Sequence, residues 1–227
     1  RAQKDLAADI IIPLDHLPAY NVSKAELSRS LRLSHLWETR SLSYHVEQIN
    51  DQAMYSVIHG GLDFSMRKES IDYLSTLPFD GVAVGGSLGK TRNDLGNLLQ
   101  YVLPQLNPLL PVHLLGIGDM ESIENAVPLG VDTFDSSYVT KLARHGSILV
   151  AEEPKPLDLR KKKFQTESIP LSPSCDCYTC KRFSRAYLHH LCRANEPTFW
   201  TLASIHNLKF MTNSMQKIRK QILDGVV

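Results

Sequence analysis

Short apolar runs recur through the first part of the chain, and the early ones are each followed by a segment with helical spacing of apolar residues. The runs are "DIIIPLD", "YSVIHGG", "GVAVGG", "VHLLGIG" and "VDTFDSS", which begin at residues 9, 55, 81, 112 and 131. Near-continuous apolar runs are typical of strands that are buried on both faces of a parallel sheet. The chain is therefore predicted to have an α/β fold in which helices cover a parallel sheet.

The segments between the strands carry helix signals. The first helix is predicted to begin at Ser23, which has capping-box spacing to Glu26. Its apolar face is predicted to comprise Leu27, Leu31, Leu42, Val46 and Ile49. Later helices are predicted up to about residue 77, over 93–103 and over 122–127. Beyond residue 145, strands with a turn are predicted in "SILVAEEPKPLDLRKKKF", and one helix each in "CKRFSRAYLHHLCRANE" and "TLASIHNLKFMTNSMQKIRKQIL".

The predicted strands all end in glycine or an acid. These positions are Asp15, Gly60–Gly61, Gly85–Gly86, the turn from Gly116 to Gly118, and Asp135. Strand ends of this kind face one side of a (β/α) barrel or of an open sheet, where ligands bind. Glycine pairs favour a flat ligand that lies close to the backbone. Five such units are too few to close a barrel of eight strands.

Composition and charge exclude little. The 227 residues are 43% hydrophobic and carry a formal net charge of +1. A nucleic-acid partner would therefore be held by a local basic patch and not by a global field. No run approaches the ~18 apolar residues of a membrane span, and the first residues lack the order of a secretion signal, so a cytoplasmic location is expected. The sequence begins without Met, and we expect further residues upstream.

A cluster of cysteines predicts a metal site. Cys175, Cys177 and Cys180 lie together in "CDCYTC", and a structural zinc ion takes four sulfur or nitrogen ligands. The fourth ligand could be His189, His190, Cys192 or His206. The alternative, free surface thiols, is poorly tolerated inside cells.

Several motifs together resemble the tRNA-guanine transglycosylases. The cysteine cluster, "SRAYLHHL" and "HN" at residues 206–207 are similar to the zinc subdomain of that family. "GVAVGGSLG" and "VHLLGIG" look like its base-pocket strands, and "GVDTFDSS" with the following "TKLARHG" is similar to its nucleophile strand and tRNA-binding loop. The resemblance covers nearly the whole chain in the family's order.

The resemblance implies a fold and an activity. The family has an irregular (β/α)8 barrel with an inserted zinc subdomain. Residues 1–150 would be part of the barrel, with the base pocket and nucleophile, and residues 151–227 the zinc subdomain with C-terminal helices. The enzyme exchanges guanine at the wobble position of tRNAs with GUN anticodons for a 7-deazaguanine, preQ1 or queuine, in queuosine formation. The exchange passes through a covalent aspartyl-tRNA intermediate, and family members commonly form homodimers.

Site residues follow from the resemblance, position by position. The nucleophile falls on Asp135. Guanine-binding positions fall on Asp15, His59, Gly85, Gly86 and Leu115. The tRNA-binding positions fall on Thr140, Lys141 and Arg144. The zinc ligands fall on Cys175, Cys177, Cys180 and His206.

Physical chemistry makes these roles reasonable. A carboxylate at position 135 can stabilise and trap an oxocarbenium-like state, and cations just after it can hold the phosphates of a nucleotide whose base is out of the stack. Asp15 can accept from two donors of guanine. His59, where the family most often has glutamine, can donate to the guanine carbonyl. The N–H groups of Gly85 and Gly86 can also face the base.

Plainer interpretations exist for the same residues. Asp135 could be a turn or capping aspartate, Asp15 a solvated strand-end acid and His59 a packed one. Lys141 and Arg144 could be solvated, as could "RKKK" at residues 160–163. As a whole, the chain could instead be a non-catalytic tRNA-binding homologue, an inactive fragment of the enzyme, or a zinc-containing barrel enzyme for a small molecule.

The sequence departs from the family pattern in places. No "DSGG"-like string for the family's general acid/base aspartate occurs here, and roughly the first third of the barrel has no counterpart, so we expect this chain alone to be inactive. Val139-Thr140-Lys141 replaces Pro-Thr-Arg, which loses bidentate phosphate contact. Gly89, where bacterial enzymes have valine, and Leu17, where they often have cysteine, suggest the larger queuine as the incoming base.

Overall fold

The computed structural model describes residues 1–47 and 51–226. The chain divides into two compact units, Arg1–Asp135 and Ser136–Val227. The domain boundary near residue 150 stays a prediction. Among the described residues, no helix is both long enough and apolar enough to cross a membrane.

The first unit is built on a parallel sheet, as predicted. Its strands are β1 (Ile10–Ile11), β2 (Ala53–Ile58), β3 (Gly81–Val84), β4 (Val112–Leu114) and β5 (Thr133–Phe134). In the described part of the chain they form one five-stranded sheet in the order β1-β2-β3-β4-β5, with every neighbouring pair parallel. Sequential order with helices between the strands is the arrangement of a (β/α) barrel wall. This sheet is the wall of an incomplete barrel.

Helices alternate with these strands and cover the sheet. They are α1 (Ala2–Asp5), α2 (Lys24–Glu47), α3 (Phe64–Leu74), α4 (Arg92–Val102) and α5 (Met120–Ala126), with short 3-10 turns at Leu103–Gln105 and Val127–Leu129. The core of the unit joins strand residues such as Val84 and Leu114 to helix residues such as Leu98 and Val102, all of them fully buried. Burial of both sheet faces explains why the strand runs are apolar throughout.

The start of the unit differs from the prediction in two ways. A strand was expected from Asp9 to Asp15, but β1 covers only Ile10 and Ile11, because Pro13 cannot donate to the ladder. The helix α2 begins as expected, with the Glu26 N–H donating to Ser23 Oγ at 3.2 Å. Val46, however, is 45% exposed and does not belong to the buried face, and Ile49 lies outside the described residues.

The second unit combines a small hairpin with helices. The strands β6 (Ser147–Ile148) and β7 (Leu157–Asp158) pair antiparallel, which confirms the predicted strands with a turn. The helices are α6 (Tyr138–Arg144), α7 (Tyr178–Arg182), α8 (Arg185–Arg193) and α9 (Pro197–Leu223), with a 3-10 turn at Lys162–Thr166. Its own apolar core includes Phe164, Leu171 and Phe199.

One predicted helix of this unit is in fact two. The sequence from Cys180 to Glu196 was expected to form a single helix, but α7 ends at Arg182 and α8 begins at Arg185. The break occurs because Ser184 adopts an extended conformation and caps α8, its side chain accepting from the Tyr187 N–H. A serine with this geometry is a strong helix start, so it ends the preceding helix.

Candidate active site and metal centre

The strand register brings four of the expected site residues into one row. Ile58 of β2 pairs with Val84 of β3, Val84 pairs with Leu114 of β4, and Leu114 pairs with Phe134 of β5. The next residues along the chain are His59, Gly85, Leu115 and Asp135. They therefore occupy successive positions along the carboxyl edge of the sheet, where parallel α/β proteins bind ligands.

Asp15 and His59 lie close together at this edge. Asp15 Oδ2 is 3.6 Å from His59 Nε2, and the aspartate side chain is 32% exposed while that of the histidine is 4% exposed. Burial lowers the pKa of His59 to about 3, and the nearby Arg67 charge adds to this effect. Burial also raises the pKa of Asp15. The pair thus presents a neutral imidazole beside a partly accessible carboxyl group.

Glu38 reaches this pair from the helix α2. Its side chain is fully buried, and its Oε2 accepts the Val57 N–H at 2.9 Å. The other oxygen, Oε1, lies 3.6 Å from His59 Nε2. Burial raises the pKa of Glu38 to about 8. Asp15, His59 and Glu38 together form a cluster of titratable groups at the strand edge.

Glycine forms the wall beside this cluster. A Cβ atom on Gly85 would lie 2.5 Å from Val57 Cγ1 and 2.9 Å from Leu115 Cδ1, so only glycine fits at this position. The Gly85 N–H donates to Ile58 O at 3.2 Å and is therefore used within the sheet, contrary to the expectation that it faces a base. A Cβ on Gly86 would lie 3.5 Å from His59 Nδ1, which puts Gly86 next to the imidazole.

A buried arginine ties the strand-end loops together. Arg67 of α3 is fully buried and donates to Ile58 O at 2.6 Å, to Gly61 O at 2.8 Å and to Ser87 O at 3.1 Å. The rigid guanidinium fork suits such contacts with several carbonyls. Arg67 thereby fixes the loop after β2 and the loop after β3, and with them the positions of His59 and Gly86.

Asp135 is held by donors from the neighbouring strand end. Its Oδ1 accepts the Gly116 N–H at 3.0 Å and lies 3.1 Å from His113 Nε2, while His113 Nδ1 lies 2.8 Å from Thr133 Oγ1. Both contacts of Asp135 with Gly116 and His113 are made through Oδ1. The Asp135 side chain is 60% exposed. An oriented, accessible carboxylate is suited to act as a nucleophile.

The residues expected to contact tRNA lie on a helix of the second unit. Thr140, Lys141 and Arg144 belong to α6, which buries Val139 and Ala143 on its opposite side. Lys141 and Arg144 are exposed, and the Thr140 hydroxyl donates to Ser137 O at 3.1 Å. A loop was expected here, but the helix presents the two cations on one accessible face.

The cysteine cluster has the geometry of a metal centre. The ligand atoms of Cys175, Cys177, Cys180 and His206 all lie within 4.8 Å of one another. His206 Nδ1 is 3.2 Å from Cys180 Sγ and 3.6 Å from Cys177 Sγ. Burial raises the pKa of the Cys180 thiol to about 12, and the neighbouring cysteines add to this effect. Such thiols become thiolates readily only when a cation is bound, so the cluster fits a metal ion.

Contacts around His206 favour this histidine over His189 as the fourth member of the cluster. Its Nε2 lies 2.8 Å from Leu149 O, an arrangement that keeps hydrogen on Nε2 and leaves Nδ1 free for a metal. The adjacent Asn207 is fully buried and bonds the Leu149 N–H, Val139 O and Ser147 O. By contrast, His189 Nδ1 lies 2.6 Å from Leu159 O, away from the cluster.

Three residues of the site were not found from the sequence: Glu38, Arg67 and His113. Glu38 lies on α2 and Arg67 on α3. A charged residue on the buried face of an amphipathic helix is the signal that was available. His113 lies within an apolar strand, where a single histidine is more often a packed residue.

Comparison with known proteins gives a consistent result. The family model for queuine tRNA-ribosyltransferase matches residues 1–227. The chain is 51% identical over 227 residues to the queuine tRNA-ribosyltransferase of Protochlamydia amoebophila, covering 100% of this chain and 58% of that protein. It is 45% identical over 228 residues to that of Chlamydia felis, covering 100% of this chain and 61% of the relative. The chain thus spans about three fifths of the length of these relatives.

Proposed function

Because the chain belongs to the queuine tRNA-ribosyltransferase family, we propose that it carries the base pocket and the nucleophile of a tRNA-guanine transglycosylase. The proposed reaction replaces guanine at the wobble position of tRNAs with GUN anticodons by a 7-deazaguanine. The observation that carries the proposal is the row of His59, Gly85, Leu115 and Asp135 along one sheet edge. A tRNA substrate implies that the reaction takes place in the cytoplasm.

In the first step, a carboxylate oxygen of Asp135 attacks C1′ of the ribose. The bond between C1′ and N9 of guanine breaks, an ester bond forms between C1′ and Asp135, and the departing guanine takes up a proton from water. Positive charge develops on the sugar as the bond breaks, and the carboxylate stabilises it. The hydrogen bonds of Oδ1 with Gly116 N–H and His113 hold the carboxylate while Oδ2 makes the attack.

The second step reverses the chemistry with a different base. The incoming 7-deazaguanine loses the proton from its N9 to water, and this nitrogen attacks C1′ of the aspartyl-tRNA ester. The ester bond breaks and Asp135 returns to the carboxylate form. The accessibility of the Asp135 side chain allows both the nucleotide and the exchanging base to reach it.

Asp15 and His59 are proposed to recognise the base. The Asp15 carboxylate accepts hydrogen bonds from N1–H and the exocyclic amine of guanine, and a charged acceptor strengthens both bonds. His59 donates to the guanine carbonyl, beside the glycine wall of Gly85 and Gly86. Leu115, whose Cδ1 lies beside Gly85, is proposed to make an apolar contact with the ring. The distance of 3.6 Å between Asp15 and His59 is compatible with both residues contacting one flat ring.

The tRNA backbone is proposed to contact α6. Lys141 and Arg144 are exposed on this helix, and their charges are available to phosphates of the tRNA. The Thr140 side chain is proposed to take part in the same contact.

The metal centre is proposed to hold one structural Zn²⁺ ion. Cys175, Cys177, Cys180 and His206 would hold the ion as three thiolates and one imidazole, a common zinc ligand set. The ion would stabilise the fold of its unit and would take no part in base exchange. On the basis of the resemblance, we also propose that the protein forms a homodimer. A mass measurement by light scattering tests this oligomeric state.

Queuine is the proposed incoming base, as opposed to the smaller preQ1. The support is Gly89, but that glycine also has a local reason: its φ is +98° and an added Cβ would lie 2.2 Å from Asp94 Cβ. Leu17, the second residue on which the choice of queuine was based, is 65% exposed. Exchange assays with both bases on the complete gene product decide between them, and use of preQ1 alone would refute queuine.

Incorporation of labelled guanine into tRNA tests the function as a whole. The complete gene product is incubated with radiolabelled guanine and an unmodified tRNA with a GUN anticodon. We expect label at position 34 only, and a loss of about a thousandfold or more in Asp135→Asn. A tRNA whose wobble base is not guanine is the control. Equal incorporation by the variant would refute the role of Asp135.

A further inference from the structure

Two buried polar atoms next to the base pocket lack hydrogen-bond partners. Among the described residues, Glu38 Oε1 and His59 Nε2 are buried and make no hydrogen bond. They face each other at 3.6 Å, which is slightly longer than a hydrogen bond. Leaving such groups unpaired is costly, and native proteins rarely do so. A small rotation of the imidazole would bring Glu38 Oε1 and His59 Nε2 within hydrogen-bond distance.

The groups around His59 determine where that proton resides. His59 is faced by Asp15 at 3.6 Å and by Glu38, while Arg67, His35 and His16 act on it electrostatically. Burial, Arg67 and the two histidines all disfavour a charged imidazole, and the pKa of His59 is lowered to about 3. Burial raises the pKa of Glu38 to about 8, and the Asp15 charge adds to this effect. At neutral pH His59 is therefore neutral and Glu38 keeps its proton.

We propose that Glu38 is a positioning residue of the base pocket, which donates its Oε1 proton to His59 Nε2 and so fixes the ring hydrogen of His59 on Nδ1. The inference rests on the proposed function, because it concerns how the same pocket recognises its base. Glu38 Oε2 already accepts the Val57 N–H, which favours the carboxyl proton on Oε1. With the proton there, Glu38 donates, Nε2 accepts, and the second ring nitrogen carries the hydrogen.

The orientation of the His59 ring places the Nδ1 hydrogen where it can donate to a bound base. Nδ1 is the nitrogen next to Gly86, where an added Cβ would lie 3.5 Å away. With hydrogen on Nδ1, the imidazole donates along the glycine wall, while Asp15 accepts on the other side. A base with a carbonyl beside an N–H and an amine matches this pattern, as guanine and 7-deazaguanines do. A base with an amine in place of the carbonyl meets a donor and is rejected.

Two matched variants of Glu38 test the inference by titration of guanine into the complete gene product. Glu38→Gln keeps both contacts, because its amide oxygen accepts from Val57 N–H and its NH₂ group donates to Nε2. Glu38→Met keeps the volume and loses the donor. We expect Glu38→Gln to bind guanine within about threefold of the parent protein and Glu38→Met to bind roughly tenfold more weakly. Thermal melts establish that each variant is folded.

The pH dependence gives a readout that a purely structural role would not change. Glu38 is protonated below a pKa of about 8, so the parent protein loses its donor, and with it guanine affinity, as pH rises from 7 to 9. Glu38→Gln cannot ionise, so its guanine affinity relative to that of the parent protein rises over this pH range. Ionisation of guanine affects both proteins equally and cancels in the ratio. Identical profiles for the two proteins would overturn the proposal, as would undiminished binding by folded Glu38→Met.

Nitrogen NMR of the labelled parent protein tests the tautomer without any variant. We expect the His59 signals of an imidazole protonated on Nδ1 at pH 7, and protonation on Nε2 would overturn the proposal. Failure of the proposed function has a different outcome: the parent protein would not bind guanine, or Asp15→Asn would bind as well as the parent. The NMR measurement decides about Glu38 in either case.

Discussion

The metal centre and the base pocket differ in how far their polar atoms are satisfied within their own units. The ligand atoms of the metal centre converge within 4.8 Å, and His206 is oriented by its contact with Leu149 O. In the base pocket, Glu38 and His59 keep buried atoms without partners, and Asp135 is largely exposed. The cysteine cluster thus has the ligand set of a structural metal site, whereas the cluster around His59 keeps buried polar atoms that a bound base would pair with. This contrast is the one expected between a structural site and a reactive one.

Removal of the metal is expected to have the largest effect, confined to the structural site. Chelation, or Cys180→Ala, removes a ligand set that supplies folding energy directly. We expect the melting temperature of the second unit to fall by roughly 10 °C or more, measured by calorimetry with zinc content determined in parallel. Cys192→Ala, outside the cluster, is the matched control. A Cys180→Ala protein as stable as this control would contradict a structural metal.

Substitution of Asp15 is expected to weaken guanine binding without unfolding the protein. Asp15→Asn replaces a charged acceptor by an amide whose NH₂ group opposes the donors of guanine. We expect guanine affinity to fall roughly 30- to 100-fold, measured by calorimetric titration, with the melting temperature nearly unchanged. Asp72→Asn, an exposed residue paired with Lys68, is the control for loss of one carboxylate. Equal guanine affinity in both variants would remove Asp15 from the site.

Substitution of the two cations of α6 is expected to have the smallest effect on activity. The double variant Lys141→Ala, Arg144→Ala loses exposed phosphate contacts, each of modest energy in water. We expect KM for tRNA to rise roughly tenfold at constant kcat, with the salt dependence of binding reduced by about one to two ions. Lys217→Ala, an exposed lysine on α9, is the control. A kcat loss with unchanged KM would show that the helix does not act through phosphates.

Much of the fold followed from local pattern. Continuous apolar runs with glycine or acidic ends predicted the parallel sheet, and the parallel register then brings the residues after each strand to one edge. The candidate metal ligands could be predicted from the sequence equally well, because three of them lie within six residues of one another. The β1 strand was overestimated since Pro13 interrupts it, and the break at Ser184 was missed because a capping serine resembles an ordinary helix residue in an apolar count.

What the sequence could not supply is the environment of single side chains. Glu38 and Arg67 lie on helices whose spacing indicates only that one face is buried. Their importance comes from long-range contacts, Glu38 with Val57 and Arg67 with the loops at Gly61 and Ser87. The role of His113 depends likewise on Asp135, which follows the neighbouring strand. Contacts of this kind depend on register and tertiary packing, which no local pattern encodes.

The most direct test of the account is to locate the covalent bond to tRNA. The complete gene product is mixed with tRNA and 9-deazaguanine, the complex that survives denaturation is isolated, and its peptides are mapped by mass spectrometry after nuclease treatment. We predict that the nucleotide is attached to Asp135 alone and that Asp135→Asn yields no denaturation-resistant complex. A nucleotide attached to any other residue, or an undiminished complex in the variant, would contradict the central claim that this strand-end carboxylate is the nucleophile.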